Sequence, residues 1–391
     1  MNKEKLLLGI RHAEDEVREI CESAENKQRL RYWADAEMSN DYFHAIPRDV
    51  ATKPFTVYCE RPQMAKILDF DFYDYYHNPY VHYLTGLQTQ IFQFRNFDDC
   101  TPVVKRQPIY ASGAFERSIF VGDDAKYTEH DAVISNVPVI KEYSDLDRLT
   151  FPDFYSSGCM PQIIKFYEDI RTIASEDFQI SFPIWGRSAW GCAWQMRRLV
   201  NLMYDLVDEP EWVDRLLRFF NEARKSWVKQ QSEYLGVPPG PATIHNDEVL
   251  HPVVSPELYE QKILPLEIEL SEFYGGVSYW HSCGDTTLLY GLIDRIPNME
   301  LVTVSCYSDV ELAGKTYSKD KMLEVQLHPN RDVLDPDTPS VLPDRLELIR
   351  NATADHQSYI VAGGLVFFKG CEDGMRRAHE LCETAHKILS L

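Results

Sequence analysis

The sequence has few basic residues for its length. Its 391 residues include 40 Lys and Arg against 61 Asp and Glu, which gives a formal net charge of -21. Nucleic acids and anionic membrane surfaces attract basic patches. Neither is therefore expected to be the main partner of this chain.

Long apolar segments are also missing. The short apolar run 6–8 is followed closely by charged residues from Arg11 onward, and this pattern predicts neither a signal peptide nor a membrane span. The nine cysteines are odd in number and show no framework spacing, which indicates reduced thiols in the cytoplasm. Cysteine is therefore available as a metal ligand or a nucleophile.

Internal repeats and linkers rich in Gly, Pro or Ser are absent from the sequence. Residues 1–391 are therefore interpreted as a single domain. Within it, 1–52 is expected to be a mostly helical, polar N-terminal extension, and 53–391 to form the main body with insertions. The stretch 66–135, rich in Tyr, Phe and Asp, is expected to form loops and short helices.

From about residue 135 onward, short apolar runs alternate with longer amphipathic segments. This alternation is typical of βα units around a parallel sheet. The predicted strands are 178–184, 277–280, 301–304 and 358–361. The predicted helices are 209–235, 255–275 with a kink at Pro265, and 372–389.

The most informative segment is 281–285, His-Ser-Cys-Gly-Asp, which follows the predicted strand 277–280. Alternate residues of an extended chain point to the same side, so His281 and Cys283 are candidate ligands of one metal ion. An imidazole and a thiolate suit Zn²⁺. The alternative is a polar histidine and a buried cysteine that lie two apart by chance.

Two further polar groups follow predicted strands. In segment 243–248, His245 and Asp247 are candidate acid/base residues and Glu248 a candidate substrate ligand; the alternative is a helix-capping loop. After strand 178–184, Trp185 and Arg187 are candidates for clamping an anionic or aromatic substrate, although a surface arginine is equally compatible with this pattern.

Five groups of short motifs, in order from about residue 135 to the C-terminus, carry a family resemblance. They are 138–140 with 145–147 and 151–153; 183–186 with 201–206 and 209–211; 255–259 with 264–265; 281–285; and 328–332. In this order and spacing they resemble the uroporphyrinogen decarboxylase superfamily over about two thirds of the chain. The resemblance implies an α/β fold, a (β/α)8 TIM barrel, and a substrate-binding role for Asn330.

The sequence departs from the true decarboxylases of that superfamily. Their arginine-rich R-Q-A-G-R loop, which handles the substrate carboxylates, has no counterpart near 29–33, and a net charge of -21 does not favour a polycarboxylate. The chain is therefore interpreted as resembling the corrinoid-dependent methyltransferase branch.

That branch holds zinc with the His and Cys of H-x-C and with one further cysteine after the last strand. The first two positions correspond to His281 and Cys283, whereas the third falls near Gly363 and Gly364, where this sequence has no cysteine. Cys371 and Cys306 are the candidate replacements. A carboxylate such as Glu248, or the absence of zinc, are the remaining alternatives.

The resemblance implies methyl transfer between a small molecule and the cobalt of a corrinoid carried by a separate protein, because no Asp-x-His-x-x-Gly cobalamin-loop pattern occurs here. The methyl donor or acceptor would be a methoxylated aromatic compound, in an O-demethylation, or a methylamine or thiol. Two alternatives remain. One is a metal-free decarboxylase or other lyase of the same superfamily, and the other is a barrel that has lost catalysis and serves as a binding subunit.

Overall fold

The N-terminal region begins with two helices and continues as a pair of antiparallel strands. The computed structural model describes residues 3–39, 42–111, 115–335, 338–367 and 373–391. Helices α1 (Lys3–Glu22) and α2 (Ala24–Leu30) are followed by β1 (Trp33–Ser39) and β2 (Tyr42–Pro47). The prediction of a mostly helical extension over 1–52 is thus right as far as Leu30 and wrong beyond it. The strand pair is anchored by a tertiary contact that local periodicity does not reveal, since the buried Trp33 donates to the carbonyl of Cys100.

Ten further strands follow. They are β3 (Phe55–Cys59), β4 (Arg106–Pro108), β5 (Lys126–Thr128), β6 (Asp131–Val133), β7 (Gln179–Ser181), β8 (Ala242–His245), β9 (Val277–His281), β10 (Met299–Val304), β11 (Met322–Gln326) and β12 (Ser358–Leu365). Six of them form a parallel sheet in the order β3-β12-β11-β10-β9-β8. The four strands predicted from apolar runs are confirmed as β7, β9, β10 and β12.

The order of the strands is that of a barrel-like α/β fold. β4 and β7 form a parallel pair, and a parallel bridge between Arg187 and His245 links the chain after β7 to β8. At the other side, β12 pairs with β3. Among the described residues no ladder joins β3 to β4, so a closed eight-stranded barrel stays a prediction.

Helices cover the outside of the sheet. The remaining ones are α3 (Arg61–Leu68), α4 (Phe72–His77), α5 (Pro79–Asn96), α6 (Phe115–Val121), α7 (Met160–Ile173), α8 (Ala189–Arg197), α9 (Leu199–Asp208), α10 (Pro210–Leu235), α11 (Pro256–Leu258), α12 (Leu264–Tyr274), α13 (Tyr290–Ile293), α14 (Val310–Thr316), α15 (Thr338–Ala352) and α16 (Gly374–Leu389). Turns of 3-10 helix span Tyr143–Arg148 and Thr287–Leu289, and π-helical turns span Tyr259–Ile263 and Pro329–Leu334. No helix of the described residues is both long enough and apolar enough to cross a bilayer.

The three predicted helices are confirmed with small changes at their ends. α10 begins with Pro210 in its first turn and ends before Gly236, which has a left-handed φ of 70°. In the segment 255–275, Ser255 caps α11, and the predicted kink takes the form of the π-helical turn before α12. Pro265 has no amide N–H, so the regular hydrogen-bond ladder cannot continue through it.

The expectation of loops and short helices over 66–135 is only partly right. The stretch contains the 18-residue helix α5 and the strand β4, which pairs with β7. α5 packs against α1, and that contact buries Tyr83 and Leu87. A helix of this length requires such tertiary packing, because its many aromatic residues have only modest intrinsic helix propensity.

Candidate functional site

A cavity of about 360 Å³ opens where the parallel strands end. This is the face at which parallel α/β folds place ligands and catalytic groups. Its lining comes from the ends of β3, β8, β9, β11 and β12, from the segments that follow β4, β7 and β10, and from the start of α6. Its polar and aromatic members include Tyr58, Glu60, Tyr110, Phe115, Glu116, Arg187, His245, Asp247, Tyr279, His281, Cys283, Cys306, Tyr307 and Glu324.

Three potential metal ligands meet at one wall of this cavity. The Nε2 atom of His281 lies 3.1 Å from the Sγ atom of Cys283 and 3.3 Å from the Oδ1 atom of Asp247. In the described part of the chain, these are the residues whose His, Cys or carboxylate ligand atoms form a group of three or more within 4.8 Å of one another. The expectation that an extended H-x-C segment turns both side chains to one side is confirmed.

Strand register explains why Asp247 joins the pair. β8 and β9 are parallel neighbours, and their ladder aligns His245 with His281. Asp247 and Cys283 each follow two residues later, so both leave the sheet at the same level and on the same side. The sequence analysis named Asp247 as an acid/base candidate, and the structure makes it the third member of the cluster.

Below the cluster, a buried hydrogen-bond network fixes the ring of His281. The hydroxyls of Tyr279 and Thr303 lie 2.9 Å and 3.0 Å from Nδ1 of His281. Both hydroxyls also reach Oε1 of Glu324, at 2.8 Å and 3.2 Å, and Tyr359 donates to its Oε2 atom at 2.5 Å. An ionised carboxylate only accepts, so these hydroxyl protons point to Glu324. Nδ1 must then carry a proton and donate it, which makes Nε2 the nitrogen that faces the cavity and that a metal ion would deprotonate and bind.

Glu324 is a functional residue that sequence reasoning missed. Its signal in the sequence is a single acidic residue within the otherwise apolar run of β11. The side chain is 2% exposed, and buried charges need several hydrogen-bond partners. A lone carboxylate in a buried strand therefore indicates a polar network.

Arg187 lies beside the cluster and is surrounded by carboxylates. Its guanidinium pairs with Glu248, lies 3.6 Å from Asp247 and lies 3.9 Å from Glu116. Glu116 is held in turn by the backbone N–H groups of Gly186 and Arg187. The positive charge of Arg187 is thus already balanced, and its role is to hold acidic residues in place.

The electrostatics of the cluster favour a bound cation. Burial opposes the charge on Asp247, but the hydrogen bond and charge of His281, with Arg187, hold the pKa of Asp247 far below its usual range. Burial also opposes the charge on His281, yet Cys283 and Asp247 raise the pKa of His281 well above 6.5. Burial raises the pKa of the Cys283 thiol more than His281 lowers it. Without metal the cluster therefore holds protons that a divalent cation can displace.

The other candidate third ligands are placed differently. Cys306 lines the cavity, but its Sγ atom is not part of the described group of three, and burial raises its pKa to about 11. Cys371 lies outside the described residues. Glu248 faces Arg187 instead.

The position at which the resemblance places a cysteine has no room for a side chain. A Cβ atom at Gly363 would lie 2.2 Å from the ring of Tyr58. Gly364 has a φ of 73°, a conformation that L-residues adopt only with strain. Tyr58 therefore occupies the space in which a ligand from β12 would stand.

The remaining predicted residues surround the site at different depths. His245 lines the cavity with its ring centre 5.6 Å from that of His281. Trp185 is 2% exposed and packs against Phe120 and Trp227, outside the cavity lining. Asn330 is exposed on the π-helical turn beside the cavity, and its neighbour Pro329, not Asn330 itself, contributes to the lining.

The three residues of the cluster fit a catalytic zinc ion. Such sites usually have three protein ligands and an open fourth position. In a tetrahedral site with bonds of about 2.0–2.3 Å, an N and an O ligand lie about 3.3 Å apart, and an N and an S ligand about 3.6 Å. The observed separations are 3.3 Å and 3.1 Å. The separation of Nε2 from the carboxylate matches that of a tetrahedral site, and the separation of Nε2 from Sγ is shorter by about 0.5 Å.

Comparison with known proteins finds a likeness of fold. No protein-family model matches the sequence, and no curated protein sequence is similar enough to match it. Among solved structures, a methyltransferase from Methanosarcina mazei matches with a TM-score of 0.62 at 13% sequence identity, over 87% of this chain and 95% of that chain. At this identity the match shows that the two proteins share a fold.

Proposed function

We propose that this protein is a zinc-dependent methyltransferase that exchanges a methyl group between a small molecule and the cobalt of a corrinoid on a separate protein. The observation that carries the proposal is the group formed by Asp247, His281 and Cys283, which opens into the cavity at the carboxyl ends of the strands. We also propose that the fold is a (β/α)8 barrel, since its strands follow the order of one.

Each residue of the cluster has a role in this proposal. Asp247, His281 and Cys283 would hold the metal, and Glu324 would fix a proton on Nδ1 of His281 through its hydroxyl partners, so that Nε2 is the nitrogen that binds the metal. When bound, zinc would act as a Lewis acid on an ether oxygen or a thiol. Arg187 would keep the carboxylate of Asp247 in place. The aromatic side chains of the lining would limit the access of water to the reacting groups.

The fold likeness supports the proposal indirectly. A methyltransferase from Methanosarcina mazei has this architecture. A shared fold does not fix an activity, because function depends on the site. The support from this neighbour is therefore the architecture, and the support for chemistry comes from the ligand cluster.

Metal analysis followed by a cobalt assay tests the proposal. We expect about one zinc per chain in protein purified without chelator, and its loss in Cys283→Ala and His281→Ala. Cys306→Ala is the matched control, because it removes a cavity thiol outside the cluster. Zinc-loaded protein mixed with methoxylated aromatics, methylamines or thiols and a corrinoid protein should change the methylation state of cobalt, seen in its visible spectrum. Wild-type protein that takes up no zinc would refute the proposal.

A metal-free lyase is the second candidate, and one observation favours it. Asp247 and His281 lie within hydrogen-bond distance of each other, at 3.3 Å, and such a pair can move a proton. A lyase should keep its activity after chelation and after Cys283→Ser. The methyltransferase should lose it in both cases.

A further inference from the structure

We infer that the substrate carries an ammonium group, which Glu60 binds at the wall of the cavity opposite Asp247, His281 and Cys283. This inference rests on the proposed function, in that it names the kind of molecule whose reacting end faces the cluster. Glu60 follows β3, and β12, β11 and β10 separate β3 from β9 in the sheet. Glu60 and His281 line the same cavity, so a ligand that fills it reaches both.

The carboxylate of Glu60 forms no hydrogen bond or ion pair with any side chain of the described residues. Burial raises the pKa of Glu60 above its usual value, and the charge and backbone N–H of Arg61 offset this only in part. The guanidinium of Arg61 has other partners. It lies 3.6 Å from the ring centre of Tyr110 and 3.3 Å from the carboxylate of Asp131, and it donates a hydrogen bond to the hydroxyl of Tyr76. A half-buried carboxylate that faces a cavity without a side-chain partner is well suited to bind a cationic group of a ligand.

The remaining carboxylates of the cavity are already satisfied. Glu116 accepts two backbone N–H groups, Glu324 accepts from hydroxyl groups, and Asp247 belongs to the ligand cluster. The lining, as far as it is described, contains Arg187 and no other arginine or lysine, and Arg187 is balanced by its own acidic neighbours. The interior therefore favours a cationic ligand over an anionic one.

The shape and the aromatic side chains of this wall also favour a ligand with an ammonium group. Tyr58 and Tyr110 both line the cavity. Aromatic rings attract cations, and the guanidinium of Arg61 already lies 3.6 Å from the ring centre of Tyr110. Gly364 leaves open space here: a Cβ atom at that position would stand 3.7 Å from Oε1 of Glu60. Glu60, Tyr58, Tyr110 and Gly364 together define what we call the ammonium wall.

Three thiols of similar size and different charge test the inference. They are cysteamine, 2-mercaptoethanol and 2-mercaptoethanesulfonate, which carry an ammonium, a neutral hydroxyl and a sulfonate. Their dissociation constants would be measured by calorimetry on metal-free protein and on protein loaded with Co²⁺, in which thiolate ligation also gives an ultraviolet charge-transfer band. Since Glu60 lies away from the cluster, cysteamine should bind about 10- to 100-fold more tightly than the sulfonate in both forms.

Two variants make the result specific to Glu60. In Glu60→Gln, the dissociation constant of cysteamine should lie within about threefold of that of 2-mercaptoethanol. A difference of this size is what the screened charge of the rest of the protein would leave. Glu311→Gln removes the same charge from the exposed first turn of α14, outside the cavity lining, and should leave the preference unchanged. Circular dichroism would establish that both variants are folded.

The outcomes separate this inference from the proposed function. An ammonium preference that depends on Glu60, in protein that takes up no metal, supports the ammonium wall and refutes the zinc enzyme. A charge-transfer band without any ammonium preference, or with a preference that survives Glu60→Gln, supports the metal site and overturns the inference. Absence of both the metal and the preference overturns both.

Discussion

Replacing Glu324 by glutamine tests whether the network below His281 prepares it for metal binding. In the wild type, Oε1 of Glu324 accepts from Tyr279 and Thr303, and Oε2 accepts from Tyr359. Glutamine can accept at one end only, and its NH₂ group donates at the other. Where the NH₂ group replaces Oε1, the hydroxyls of Tyr279 and Thr303 must turn their protons away, and Nδ1 of His281 lies within 3.0 Å of both. The imidazole would carry its proton on Nε2, where it blocks the metal.

The expected loss of zinc affinity in Glu324→Gln follows from the position of Glu324 in the site. It does not touch the metal position but orients a ligand, and loss of such outer contacts typically lowers metal affinity about 10- to 100-fold. This corresponds to about 1.4 to 2.8 kcal/mol. The glutamine variant should also lose some stability, since hydrogen bonds to a charged group contribute about 1.5 to 3 kcal/mol each.

Competition of zinc with a fluorescent chelator measures the affinity, and Glu267→Gln provides the control. Glu267 is 1% exposed and, like Glu324, accepts from neutral donors, namely Tyr259, Trp280 and Asn246. Its variant should lose comparable stability and keep its affinity for zinc. If Glu324→Gln binds zinc as tightly as the wild type, or loses no more affinity than Glu267→Gln, the argument about the proton on Nδ1 is refuted.

Three further predictions concern stability. Arg187→Met should lower the free energy of unfolding, measured with urea, by about 3 to 5 kcal/mol, because it leaves the buried Glu248 without its partner. Burial lowers the pKa of His82 from 6.5 to about 4. Between pH 4 and pH 6.5 the unfolded chain therefore binds more protons than the folded chain. About 3 kcal/mol of the free energy of unfolding should be lost as the pH falls from 6.5 to 4. His82→Gln should flatten that profile. Gly363→Cys should destabilise the protein without adding a zinc ligand, because its Cβ atom would overlap the ring of Tyr58.

Each of these predictions has an outcome that contradicts it. Unchanged urea stability in Arg187→Met would mean that the acidic groups around it are solvated. A His82→Gln variant with the pH profile of the wild type would assign the pH dependence to other groups. A Gly363→Cys variant that unfolds at the wild-type urea concentration and binds zinc more tightly would show that Tyr58 moves easily. The double variant Gly363→Cys with Tyr58→Ala should regain part of the lost stability.

The parts of the fold that the sequence predicts are those with strong local patterns. α10 has an apolar stripe, a first-turn proline and a terminal glycine, and the structure follows these signals. β9, β10 and β12 contain runs of apolar residues, and most of these residues are buried, as their sequence predicts. In such elements local preference and tertiary packing agree, so the sequence alone suffices.

The missed elements lack local signals. β4 consists of Arg-Gln-Pro and is a strand only because it pairs with β7. β3 has five residues, Phe-Thr-Val-Tyr-Cys, too short for its pattern to stand out from the aromatic segments after it. β1 and β2 depend on the burial of Trp33 and Ala45. Tertiary contacts decide these elements, and periodicity does not report such contacts.

The site was predictable to the extent that its residues lie within one segment. His281 and Cys283 lie two apart on one strand end, so their convergence follows from the geometry of an extended chain. Asp247 reaches them through the alignment of β8 with β9, which a single sequence does not reveal. Glu324 and Glu60 come from strands farther round the sheet, and only the assembled fold brings them to the cavity.

The source of the third ligand determines where a substrate can lie. A ligand at Gly363 would come from β12, three strands from β9, and would reach across the cavity. Asp247 instead comes from β8, directly beside β9, so the whole cluster stands on one wall. The wall formed by β12 and β3 is then free for Tyr58 and Glu60. In the proposed metal site, an acidic ligand from the neighbouring strand would therefore do more than replace a cysteine, because it would leave the opposite wall available to recognise the substrate.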